Sequence, residues 1–181
     1  LLETVRVWPA EKADELGIRA EAELAHAEHH HGWLIDVQPL LRPIDQAALD
    51  RLEPELAHLL VVPARMERIR PDLAVGVVIH LWELFQIRGP IDPYLATLDS
   101  GVRAARAAGD PRLPRVLRSR AMSLRLVGQA VEAERDIEEA LSIETDPYLR
   151  AWLDGERAIV LADVGRFAEA SALFERVIPV L

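Results

Sequence analysis

At 181 residues, half of them hydrophobic, the chain is long enough for one sizeable domain or a short repeat array. Its net charge of −9, with Lys12 as the only lysine, argues against a nucleic-acid surface, because phosphate contacts need clustered Lys or Arg. The lack of cysteine excludes disulfides and thiolate chemistry, and no apolar run reaches the roughly 18 residues that span a bilayer, so a cytoplasmic setting is expected.

Leu1-Leu2-Glu3-Thr4-Val5 reads as strand-like, with a charge at the third position and no apolar core of a signal peptide. Pro9 to Leu16 predicts a short helix stopped by Gly17. Ile18 to about Leu41 reads as a long helix rich in Ala, Glu and His, bent near Gly32 and interrupted at Pro43. Asp45 is placed to cap a helix through Leu60, with Leu49, Leu52, Leu56 and Leu59 on one face and a kink expected at Pro54. Pro63 and Pro71 bracket a short connector. Paired helices are then expected over 72–88, 93–108, 111–127, 130–143, 147–163 and 166–178. Asp92-Pro93, Asp110-Pro111 and Asp146-Pro147 each combine an N-cap acceptor with a proline at the first helical position.

An internal echo organises this second half. Gly128-Gln129-Ala130-Val131-Glu132-Ala133 returns 37 residues later as Gly165-Arg166-Phe167-Ala168-Glu169-Ala170. Each copy continues with an apolar residue (Ile137, Phe174), a small or branched one (Ala140, Val177) and an aliphatic one (Leu141, Ile178). The spacing is close to the roughly 34 residues of a tetratricopeptide (TPR) unit. The glycine accepts the turn between the helices of a pair, and the alanine five residues later lets two helices cross closely. A weaker copy places Gly89 in the turn and Tyr94 in the alanine slot, which predicts a wider or rotated crossing. Trp82, Phe85, Phe167 and Phe174 are expected in the core. The expected fold is an all-α, right-handed TPR-like solenoid of antiparallel helix pairs over 71–181, with an irregular helical front over 9–70 and a remnant of an upstream domain at 1–8. The apolar Val177-Ile178-Pro179-Val180-Leu181 offers no polar cap, so a fragment of a longer protein is expected, able to form a homodimer through that end.

The front half carries a resemblance. Leu1 to Arg6 followed by a short helix, His26-Ala27 on a long helix, Asp45-Gln46-Ala47-Ala48-Leu49-Asp50-Arg51-Leu52-Glu53-Pro54-Glu55, and Arg88-Gly89 closing a helix with Trp and Phe together resemble bacterial STAND-type (NB-ARC-like) ATPases. These are multidomain regulators with tetratricopeptide tails. His58 stands where that family usually has Asn, and His29, His30 and His31 stand where apolar or aromatic residues are common. The resemblance implies a sensor arm that restrains or releases an upstream nucleotide-binding module ending in a winged helix near Leu1. The chain itself has no G-x-x-x-x-G-K-[ST] loop.

TPR groove geometry singles out Arg115, Arg118, Met122 and Arg125, which share one helical face, with Glu83 and Gln86 on one side and Trp152 on the other. Three guanidiniums there can clamp carboxylates or phosphates, and Trp152 can anchor an apolar group. The plainer reading is a solvated face whose arginines pair with nearby Glu. His26, His29 and His30 can face one metal from a single helix, but neither Asp nor Cys sits at ligand spacing and no H-E-x-x-H motif is present, so no metal site is expected. The carboxylate pairs Glu138–Glu139 and Glu132–Asp136 lack any accompanying motif, and none of Ser100, Ser119, Ser123, Ser142 and Ser171 lies in G-x-S-x-G. The expectation is therefore a non-catalytic region without a cofactor, whose partner is a protein or peptide, acidic in character, or the upstream domains of its own chain. The alternatives are a stand-alone adaptor or the tail of a kinase- or cyclase-type signalling protein.

Overall fold

The computed structural model describes residues 11–37, 50–88 and 91–180. The strand-like start at 1–8, the break at Pro43, the cap at Asp45 and the turn at Gly89 lie outside them. So do the side chains of Glu83, Gln86 and Asp92. Among the described residues every regular element is helical. A short helical stretch ends at Gly17, whose φ of +68° is the left-handed turn that Gly tolerates. The helices that follow are α1 (Arg19–Val37), α2 (Leu56–Met66), α3 (Pro71–Arg88), α4 (Ile91–Ala108), α5 (Leu113–Leu126), α6 (Ala130–Ile143), α7 (Pro147–Asp163) and α8 (Phe167–Val177). None of them is long and apolar enough to cross a membrane.

Local chemistry accounts for most boundaries. Pro54 turns the chain into a 3-10 segment, Glu53–Glu55, immediately before α2, as the expected kink requires. Pro63 departs from expectation: it lies inside α2 and is buried there, and the connector shrinks to residues 67–70. The apolar stripe Leu59, Val62, Pro63 and Met66 is buried as a unit, which offsets the roughly 3 kcal/mol that an interior proline costs. α1 runs through Gly32 without interruption. Asp146 caps α7, its Oδ1 accepting from Leu149 N at 2.9 Å. Asp110 caps one turn early: it accepts from Arg112 N at 2.8 Å, and the regular helix begins at Leu113. Arg112 also grips that carboxyl and holds its pKa below the usual range.

Gly128 and Gly165 adopt φ of +79° and +80°. In both turns the next residue donates back across the helix end, Gln129 N to Leu124 O and Arg166 N to Leu161 O, each at 2.9 Å. These are Schellman closures, and Gly109 makes a third, with Asp110 N donating to Ala105 O at 2.9 Å. A β-carbon at Gly128 would meet no atom within 4 Å, so only backbone strain opposes it. Gly128→Ala is expected to cost about 1–2 kcal/mol, and Gly128→Asn clearly less, in urea unfolding followed by circular dichroism.

Helix packing is local in the chain. α5 sits against α6, α6 against α7 and α7 against α8; substantial second-neighbour contacts join α1 to α3, α2 to α4, α3 to α5 and α5 to α7. α3 is covered by α1, α2, α4 and α5, which explains why Leu73 to Ile79 is buried without a wet face. Gly101 lets α4 approach α3 closely, since a β-carbon there would fall 2.7 Å from Val78 Cγ2. Ala133 and Ala170 are buried, as their crossing role demands, and so are Ile137, Ala140 and Val177. Tyr94 is fully buried in the alanine slot of the weaker copy, stacked on Phe85 at 3.9 Å between ring centroids. Phe167 corrects the expected core: it is 68% exposed. α6 is held between α5 and α7, whereas α8 packs on α7, so the first turn of α8 gains no second cover.

One core cluster runs from Ala27 in α1 to Val160 in α7, and a smaller one joins α7 to α8 through Ala158, Leu161 and Ala170. Ion pairs also join helices that are second neighbours in the chain. Arg103 in α4 reaches Glu67, beyond α2, 36 residues away, and Arg106 in α4 reaches Glu139 in α6, 33 residues away. Arg118 and Arg125 in α5 reach Glu156 and Asp163 in α7, both 38 residues away. The exposed ones among them contribute about 0–1 kcal/mol each, so they mark register more than they drive folding; Arg118–Glu156 is mostly buried.

Candidate functional site

The face that α5 and α7 present side by side contains most of the residues expected in the groove. Their helical phase puts Arg118 and Arg125 one to two turns apart on α5, opposite Trp152, Glu156 and Asp163 on α7. Arg118 Nε and Nη2 both donate to Glu156 Oε1, at 3.1 and 2.5 Å. The same guanidinium lies 4.0 Å over the ring of Trp152, a cation–π contact. Arg118 is therefore held from two sides and is mostly buried, while Trp152 keeps 43% of its surface exposed.

Arg125 Nη1 donates to Asp163 Oδ2 at 2.8 Å, and its Nε is buried without a hydrogen-bond partner. Arg115 lies exposed on the first turn of the same helix. Met122 sits on this face but is buried in the core, 5% exposed, so it supports the surface from below and does not line it. The structure brings Arg118 and Trp152 into contact. The side chains of Glu83 and Gln86 lie outside the described residues.

Glu156 and Asp163 are the functional-face residues that sequence reasoning missed. A signal existed: they follow Trp152 at i+4 and i+11, on its own helical face, and each stands 38 residues after an arginine of α5. The arrangement is a guanidinium–indole platform, neutralised by carboxylates that a ligand carboxylate would have to displace or share. Such exchange suits recognition of an anionic group beside an apolar one.

Three of the acids in the pairs noted in the sequence, Glu138, Glu139 and Asp136, are bound by arginines. Glu138 accepts from Arg157 at 2.7 Å, and Glu139 accepts from Arg106 at 2.9 Å and sits below its ordinary pKa because of that bond. Asp136 is bound on both oxygens by Arg120, at 2.6 Å each, and Arg120 also reaches Asp99 on α4 at 3.0 Å. The bonds from Asp136 raise the pKa of Arg120. On α1, His26 and His30 face α2, while His29 is exposed.

Comparison of the chain with protein-family models, with curated proteins and with solved structures returns no match.

Proposed function

We propose that the chain is a non-catalytic, TPR-like sensor region of a STAND-type signalling ATPase, receiving a protein or peptide partner on the α5–α7 face. The inferred arrangement is a right-handed solenoid of antiparallel helix pairs in a cytoplasmic protein. The single observation that carries this reading is repetition in three dimensions. The echoed segments form helix hairpins closed by the same Gly turn, with a buried alanine at the same offset, and the two hairpins pack through α6 on α7 and α5 on α7. Arrays of this type present extended surfaces to partners.

On the α5–α7 face, the Arg118–Trp152 platform selects a carboxylate next to an apolar side chain. Partner binding there favours one arrangement of the array over another, and the upstream module responds to that population shift. A labelled peptide alternating Glu and Leu is the probe. Trp152→Ala is expected to weaken its binding by about 2 kcal/mol, roughly thirtyfold, and Arg115→Glu with Arg125→Glu to weaken it further. Equal affinity in all variants, measured by fluorescence anisotropy, would remove the groove from the reading. ATP turnover by the purified chain would overturn its non-catalytic character.

A further inference from the structure

Two helices bring three imidazoles together at one point, with a carboxylate beside one of them. His26 and His30 are one turn apart on α1, while Glu55 and His58, three residues apart, stand at the start of α2. Ligand atoms of His26, His30 and His58 lie within 4.8 Å of one another. His26 Nε2 is 3.3 Å from His58 Nδ1, and His30 Nε2 is 3.2 Å from Glu55 Oε2. A tetrahedral metal with bonds of about 2.0–2.1 Å holds its ligand atoms roughly 3.3 Å apart. Both close pairs already match that edge.

The tautomers point the same way. His30 Nδ1 lies 2.9 Å from the backbone carbonyl of His26, an acceptor, so Nδ1 carries the proton and donates it. Nε2 then faces a carboxylate oxygen, so either a second proton or a metal ion must lie between the two. A backbone carbonyl orienting the far nitrogen of a histidine is the usual support of a metal ligand. A neutral hydrogen bond would account for the His26–His58 approach alone, and an imidazolium for the His30–Glu55 approach alone. A divalent metal accounts for both, and for the convergence of the third ring.

We propose that His26, His30 and His58 form a site for a zinc-class divalent metal, which joins α1 to α2, with Glu55 supporting it from beside His30. Nitrogen-rich ligation selects Zn2+, Co2+, Ni2+ or Cu2+ over Mg2+ and Ca2+. His29, the third histidine of the helix-only pattern, takes no part. It is replaced by His58, 32 residues from His26 in the chain.

The test uses tag-free, chelator-treated protein titrated with Co2+ and then Zn2+. The expected result is one equivalent of Co2+ giving the intense visible bands of a tetrahedral site, bleached by Zn2+, with a rise in Tm on Zn2+ addition. His58→Ala, an exposed position that leaves the apo helix content unchanged, should abolish the bands and the Tm rise. Glu55→Gln should weaken binding about 10–100-fold. His29→Ala should bind as the parent does. No stoichiometric Co2+ spectrum in the parent chain, or an unchanged one in His58→Ala, would overturn the site. Loss in His29→Ala with retention in His58→Ala would equally overturn it.

Discussion

Replacing Asp136 with alanine is expected to destabilise the protein by about 3–5 kcal/mol, close to the whole stability of a marginal domain. The side chain of Asp136 is 3% exposed and that of Arg120 is 17% exposed. Two bonds of 2.6 Å form a fork–fork pair between them, and the third bond from Arg120, to Asp99, makes the group span α4, α5 and α6. Removing the carboxylate leaves a guanidinium in a poorly solvated position with one half-exposed acid to answer it. Replacing both partners, Arg120→Met with Asp136→Leu, should recover most of the loss, because the desolvation cost of the pair disappears with its attraction. Urea unfolding with an unchanged m-value would check both results. A cost below about 1 kcal/mol for Asp136→Ala would mean that water reaches the pair.

Tyr94→Ala is the second large effect, about 3–5 kcal/mol, in line with other buried aromatic truncations. The ring is 1% exposed and packs against Phe85, at 3.9 Å, and Trp82, at 6.4 Å between centroids. Its hydroxyl donates to the carbonyl of Val78 at 3.2 Å, and burial pushes its pKa well up. Deleting the ring opens a cavity between α3 and α4 that rigid helices cannot collapse, because Gly101 already brings them into contact at Val78. Tyr94→Phe keeps the volume and loses one hydrogen bond, so about 1 kcal/mol is expected. Thermal unfolding of the two variants side by side separates packing from polarity.

Helix positions were largely legible from the sequence because they depend on neighbours in the chain. Gly128 and Gly165 end helices for a reason carried in their own φ, and Asp146-Pro147 starts one for a reason carried within four residues. What was not legible depends on the third dimension. Pro63 continues a helix because its face is buried by α3 and α4, and Phe167 is exposed because, among the described residues, α8 packs chiefly on α7. The arginines of α5 share a face by helical phase, but their partners Glu156 and Asp163 come from α7, two helices further along the chain. His58 stood out in the sequence only as an unusual residue. Its approach to His26 is set by how α1 crosses α2, which no local pattern encodes.

The restriction of substantial contacts to first and second neighbours has a mechanical consequence. Tension applied between the first and last of the described helices passes along interfaces between first and second neighbours, which act partly in series and partly in parallel. Extension is therefore the sum of many small sliding and tilting movements, and the softest interface yields first.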